Sequence, residues 1–163
     1  KTSLLGDVND CMPLMRRDLT AVCAPACEGT SDNRMQTCRH LPVMAGHWHL
    51  RGFAMWGVFE KDTGALVGRV GFHQPDGWPD FELGWTIGRN WWGKGYATEA
   101  AQRCVDFAFG EMDRDHLISL IDPANLASIR VAERLGESVE GEFQFGEHPL
   151  LVYGLRRPPA PLP

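Results

Sequence analysis

The residues best equipped for chemistry lie between Glu82 and Ser128. Gly93-Lys94-Gly95 separates a stretch that alternates in character from one with helical spacing. Glycines let a backbone approach a ligand closely and aim amides at it. The start of a helix adds N–H groups without intrahelical partners and the positive end of a dipole. A turn of this kind suits an anion, and above all a phosphate. Upstream, Glu82 shares a face with Gly84 and Thr86, while Phe81, Leu83, Trp85 and Ile87 form the opposite, bulky face. A carboxylate beside small neighbours has room for a substrate. It can take a proton from a nucleophile, directly or through water, or it can be a solvated acid or an ion-pair partner. Downstream, Asn125 is a good N-cap and Ser128 falls one turn further on, with a hydroxyl able to donate a proton or to serve the helix backbone.

The elements that must hold these groups follow from periodicity. Phe53 to Glu60 and Ala65 to His73 read as strands joined by the turn Asp62-Thr63-Gly64, and a third strand begins at Asp80 after a loop from Gln74 to Pro79. Their short connections predict an antiparallel meander. Ala97, Ala100, Ala101, Cys104, Val105 and Ala108 recur at helical spacing, which predicts a helix from Gly95 to about Met112. His116 to Asp122 is a short apolar strand. The crossover length predicts that it lies parallel to the strand carrying Glu82. A helix from Asn125 to Leu135 stops at Gly136, and Ser138–Phe145 with Pro149–Arg156 form a last hairpin. The first 45 residues are the least legible. Leu14, Met15 and Leu19 suit a short helix, and Ser31 or Asp32 can cap another carrying Met35, Cys38 and Leu41. Pro42 and Gly46 argue against its continuation.

Length and composition bound the function. The chain has 163 residues, enough for one domain with a substantial core, expected over 1–157 with a proline-rich tail at 158–163. A formal charge of −5 argues against nucleic acid as the partner. No apolar run is long enough for a bilayer, and no leader with a basic and then an apolar region opens the sequence. Five cysteines without paired spacing predict reduced thiols in the cytoplasm. Cys23-x3-Cys27 with His40 lacks the second pair that a structural zinc site needs, so no metal is expected.

Two phosphate-binding readings fit the turn poorly. Gly88-x4-Gly93-Lys94-Gly95 has a glycine where a P-loop needs Ser or Thr for magnesium. A dinucleotide fingerprint fails at Thr98, where its third glycine should stand, and the preceding strand belongs to a meander.

Three blocks in order carry a third reading: Glu82-Leu83-Gly84-Trp85; Trp92-Gly93-Lys94-Gly95-Tyr96-Ala97-Thr98-Glu99-Ala100; and Asn125-x-x-Ser128-x-x-Val131-Ala132-Glu133-Arg134-Leu135-Gly136. From about His47 to Tyr153 the chain resembles the Gcn5-related N-acetyltransferases, nearest the branch of ribosomal-protein N-terminal acetylases. The first 45 residues lie outside the match. The resemblance implies an α/β fold (α+β), a mixed and mostly antiparallel sheet whose one parallel pair splays apart, with helices on both faces. It implies acetyl-CoA as co-substrate, no metal, and transfer of acetyl to a primary amine on a small molecule or a peptide terminus. It carries cofactor contacts to Trp85, Thr86, Ile87, Trp92, Gly93, Lys94, Gly95, Tyr96, Ala97 and Asn125. It carries the base to Glu82 and an oxyanion donor to a backbone amide near Trp85 or Thr86. The family's acidic tyrosine position holds Ala132, which moves the proton-donor role to Ser128, with Tyr153 as a distant candidate. Asn90, beside Arg89, stands where relatives carry Gln or Arg. Trp78 is expected at the acceptor pocket. His47, His49 and His73 are weaker base candidates, and the six tryptophans are expected mainly in the core. No nucleic acid or membrane partner is implied, and the chain is expected as a monomer or homodimer. The rival reading is a CoA-binding regulatory module without catalysis.

Overall fold

The computed structural model describes residues 2–4 and 46–159. The helices expected around Leu14 and Met35, and the Cys23, Cys27 and His40 group, lie outside the described residues. A seven-stranded sheet organises the fold, in the order β1-β2-β3-β4-β5-β7-β6. Its strands are β1 (Thr2–Leu4), β2 (Met55–Glu60), β3 (Leu66–His73), β4 (Glu82–Ile87), β5 (His116–Ile121), β6 (Ser138–Phe145) and β7 (His148–Arg156). Every neighbouring pair is antiparallel except β4 and β5. The expected meander is therefore present as β2-β3-β4. It gains β1 on its outer side, where Ser3 pairs with Phe59, a pairing nothing in the amino-terminal sequence announced.

Two helices lie on one face and contact each other, α1 (Tyr96–Gly110) and α2 (Leu126–Leu135). The buried side of α1 is Tyr96, Ala100, Ala101, Cys104, Val105 and Ala108. Small residues let the helix sit close on the apolar face formed by Val58, Val70, Phe72, Leu83 and Leu117. Any cover of the opposite face by residues 5–45 lies outside the described residues. Residues 46–51 are helical, although Gly46 argued against helix there. Packing outweighs the local preference. Trp48 is buried edge-on against Trp56 and His47 stacks on His73, with ring centroids 5.3 and 5.1 Å apart.

The element ends obey local chemistry. Asn125 Oδ1 accepts from the Ser128 amide at 3.1 Å, and Gly136 closes α2 in the left-handed conformation with φ 88°. Tyr96 opens α1 with its ring in the core and its hydroxyl on Glu60 at the end of β2. That bond pushes the phenol up to about 12 and holds the Glu60 carboxyl below its ordinary range. Cys104 is buried, and burial pushes its thiol up to about 12.

Candidate active site

The two parallel strands barely pair. β4 meets β5 at one register position, Glu82 opposite Ile118, and Ile118 N–H donates to the Phe81 carbonyl at 3.0 Å. Beyond it the strands part. Gly84, Trp85, Thr86 and Ile87 remain paired with β3 on their other side. Because peptide groups alternate in direction along a strand, the odd-numbered residues of β4 turn theirs toward the split. Side chains complete two of these groups. Ser119 Oγ donates to the Leu83 carbonyl at 2.9 Å, and the Trp92 indole N–H donates to the Ile87 carbonyl at 2.6 Å. The Trp85 peptide lies between them and faces the split. Thr86 turns toward β3, where its hydroxyl lies 3.5 Å from Arg69 Nε. Of the two peptides expected near the oxyanion, that of Trp85 faces the split and that of Thr86 faces β3.

At the wide end of the split stands the glycine turn. Gly93 and Gly95 have φ of 75° and 86°, a conformation that L side chains rarely adopt. A Cβ built on either glycine would meet no atom within 4 Å, so the space before the turn is open. Gly95 offers no side-chain cap, which leaves the first-turn amides of α1 for an external acceptor. Lys94 lies over the Trp91 ring and Arg89 over the Trp92 ring, at 4.6 and 5.5 Å from the ring centroids. Trp92 is 58% exposed, against the expectation of a core residue. These features fit the pyrophosphate of acetyl-CoA: open amides, a positive helix end, and two cations.

At the closed end stands Glu82. Its carboxyl is largely surrounded by protein. It accepts from Trp78 Nε1–H at 2.7 Å and from the Leu120 backbone N–H. Burial pushes the carboxyl up to about 7, against these two donors, which favour the ionised form. Gly84 puts no side chain beside it, and the Met55 methyl fills that side instead. A Cβ there would lie 3.8 Å from Glu82 Oε1 and 3.0 Å from Met55 Cε. Glu82 pairs in register with His73, whose ring meets Trp78 edge-on at 5.1 Å. Trp78, expected at the acceptor pocket, is held against Glu82 by its indole hydrogen bond. His47 belongs to this group through its stack on His73, whereas His49 is exposed.

The other predicted residues lie on α2 and β7. Asn125 and Ser128 begin α2, which follows β5. Ser128 gives its amide to Asn125, so the cap is the asparagine and the serine hydroxyl is left to other uses. Tyr153 is distant in sequence but buried in one cluster with Ile121 and Ala132, against the partly buried Trp85. Its ring lies near the position where the family's tyrosine is missing.

Two further groups escaped the sequence reading. Ser119 and Glu137 are both buried, and Ser119 Oγ is 3.1 Å from Glu137 Oε1. Burial pushes Glu137 up to about 7. A lone hydroxyl inside the apolar run His116–Ile121, and an acid directly after the helix stop, were the signals available.

Comparison with known proteins decides the family. The chain matches the Acetyltransferase (GNAT) domain over residues 10–137. It belongs to the GNAT acetyltransferases. Among curated proteins it is 38% identical to the uncharacterized Bacillus subtilis (strain 168) protein YkkB over 104 residues, 63% of this chain and 60% of that one. It is 36% identical to the uncharacterized N-acetyltransferase YnaD of the same organism over 87 residues, 53% of this chain and 51% of that one. The chain thus spans between half and two thirds of the length of these relatives. A crystal structure of an acetyltransferase from Agrobacterium tumefaciens str. C58 superposes with a TM-score of 0.75 at 26% identity, covering 96% of this chain and 91% of the other. The likeness in fold extends to a putative ribosomal-protein-serine acetyltransferase from Vibrio cholerae, at TM-score 0.66 and 21% identity over 94% and 91% of the two chains. The GNAT fold expected from the sequence, a mostly antiparallel sheet with one parallel pair, is the fold found.

Proposed function

We propose that this GNAT chain moves an acetyl group from acetyl-CoA to a primary amine, in the manner of the ribosomal-protein N-terminal acetylases and their small-molecule relatives. One observation carries the reading. The split between β4 and β5 has a buried carboxyl at its closed end and an open glycine turn at its wide end. Residues 1–157 act as a single acetyltransferase domain in this reading, and the odd number of cysteines supports a reducing, cytoplasmic setting.

Acetyl-CoA supplies the activated acetyl group as a thioester. The amides of Gly93 to Ala97, with Lys94 and Arg89 beside them, hold the pyrophosphate. The Trp85 peptide, with Thr86 and Ile87 flanking it, orients the pantetheine arm, and the Asn125 side-chain amide adds a donor from the start of α2. An ammonium must lose a proton before it can attack. Glu82, poised near neutrality, takes that proton. The Trp85 N–H is the donor for the negative charge that develops on the carbonyl oxygen. Ser128 is the proposed proton donor to the departing sulfur.

The test is release of free thiol from acetyl-CoA in the presence of a panel of amines: peptide amino termini, polyamines, amino acids and aminoglycosides. Tight binding of acetyl-CoA with no thiol release on any amine would replace this reading by that of a CoA-binding module.

A further inference from the structure

The geometry points to an acceptor whose amine is attached close to a flat aromatic ring. This inference rests on the acetyl-transfer reading and concerns the part of the substrate that does not react.

Rings from four separate elements gather around Trp78, whose indole N–H donates to the Glu82 carboxyl. Trp78 comes from the β3–β4 loop, and its orientation is set by the hydrogen bond to Glu82. His73 ends β3 and meets Trp78 edge-on, and His47 extends the array from the helical segment. The fourth source is β6, at the far side of the sheet. Phe143 and Phe145 are two residues apart, so they share a strand face, and their centroids lie 5.9 and 5.5 Å from that of Trp78. Phe145 is 52% exposed while touching Trp78. A large ring left half in solvent adds little to the core. Next to Trp78, one ring removed from the Glu82 carboxyl, it offers a substrate an apolar wall.

Charge and shape complement each other here. The carboxylate attracts an ammonium, and aromatic faces attract it further through their quadrupoles. Offset and edge-on ring contacts then favour a planar group carried next to that amine. A linear polyamine would instead call for carboxylates spaced along its length, and among the described residues Glu82 is the carboxyl hydrogen-bonded to the central ring of this group, Trp78. The same chemistry occurs in a free arylalkylamine and in a peptide whose amino-terminal residue is aromatic.

The test compares kcat/KM for five acceptors: 2-phenylethylamine, hexylamine, spermidine, and dipeptide amides beginning with Phe or with Ala. At least one aromatic acceptor is expected to exceed its non-aromatic counterpart by about tenfold or more, the scale of a well-fitted apolar contact. The pair with the larger gap identifies the source. Phe145→Ala should erase most of that preference with acetyl-CoA affinity unchanged. Phe145→Leu, which keeps apolar bulk and loses the ring, should erase part of it. Turnover with equal or better use of hexylamine, spermidine and the Ala peptide would overturn the inference and leave acetyl transfer standing. Failure of every amine to release thiol would overturn both.

Discussion

Ser119 Oγ lies 2.9 Å from the Leu83 carbonyl and 3.1 Å from Glu137 Oε1. One hydroxyl proton cannot serve two acceptors. The arrangement is satisfied when Glu137 is protonated, donates to Ser119, and Ser119 donates to Leu83. This relay joins β5 to β4 just past the point where their ladder ends, and it anchors α2 at the same place.

Removing the hydroxyl leaves both partners buried without it. Ser119→Ala should destabilise the fold by roughly 1–3 kcal/mol, the scale of a buried polar group left unsatisfied. Urea unfolding, with the slope unchanged, is the measurement. A midpoint equal to that of the parent would show the bonds to be dispensable.

Glu82 and Glu137 give the fold a definite pH dependence. Both carboxyls are raised to about 7 from an ordinary 4.5, so between those pH values the folded chain binds more protons than the unfolded one. Their contribution to stability is complete below about pH 4.5, is lost as pH rises through 7, and is level above that. Glu137→Gln removes one such group and should flatten the fall between pH 5 and 7, by up to about 3 kcal/mol. Thermal melts across that range provide the check, and an unchanged pH profile would show that Glu137 titrates normally.

Glu82→Gln keeps a group that can still meet the Trp78 indole but cannot accept a proton. Turnover should fall about 10²–10⁴-fold with little change in acetyl-CoA affinity. The parent's kcat/KM should rise through an acidic limb near pH 7, and the variant should lose that limb. Parental rates across the pH range would make Glu82 structural.

Gly95→Val should weaken CoA binding strongly. The open space before the turn is where a ligand's phosphate would meet the new side chain. The left-handed backbone at φ 86° adds about 1–2 kcal/mol of strain without any internal clash. Calorimetry on the folded variant separates the two effects. Parental affinity would move the pyrophosphate elsewhere.

Asn125→Ala and Ser128→Ala form a matched pair. The first removes the cap of α2 and should cost about 0.5–2 kcal/mol. The second leaves the cap in place. It should lower turnover with little change in melting if its hydroxyl protonates the leaving sulfur. Equal turnover of Ser128→Ala and parent, with chemistry rate-limiting, would end that assignment and bring Tyr153 forward.

The local signals carried most of the carboxy-terminal two thirds. The alternation from Phe81 to Ile87, the small-residue stripe of α1, the Asn125 cap and the Gly136 stop each act within one element, so they can be read without a fold. What could not be read depends on meetings across the fold. Thr86 and Trp85 are adjacent in sequence, yet only the pairing of β3 with β4 decides which peptide faces the split. Trp92 looked like core by residue type, and its exposure follows from the short 3-10 turn at Arg89–Trp91 that carries it outward. Phe143 and Phe145 looked like ordinary hairpin residues. Their place beside Trp78 comes from β6 lying outside β7, an order that short-range pattern does not encode.

The Trp92 indole on the Ile87 carbonyl has a consequence beyond binding. A strand that parts from its neighbour exposes a flank on which another polypeptide can zip up, the usual first step in aggregation. Here the flank of β4 is interrupted at both ends, by Ser119 on Leu83 and by Trp92 on Ile87. What remains between them is the peptide of Trp85, too short a run for a foreign strand to register on. The open side of β4 between these two caps is therefore a poor edge for strand pairing, although the Trp85 peptide still faces the split.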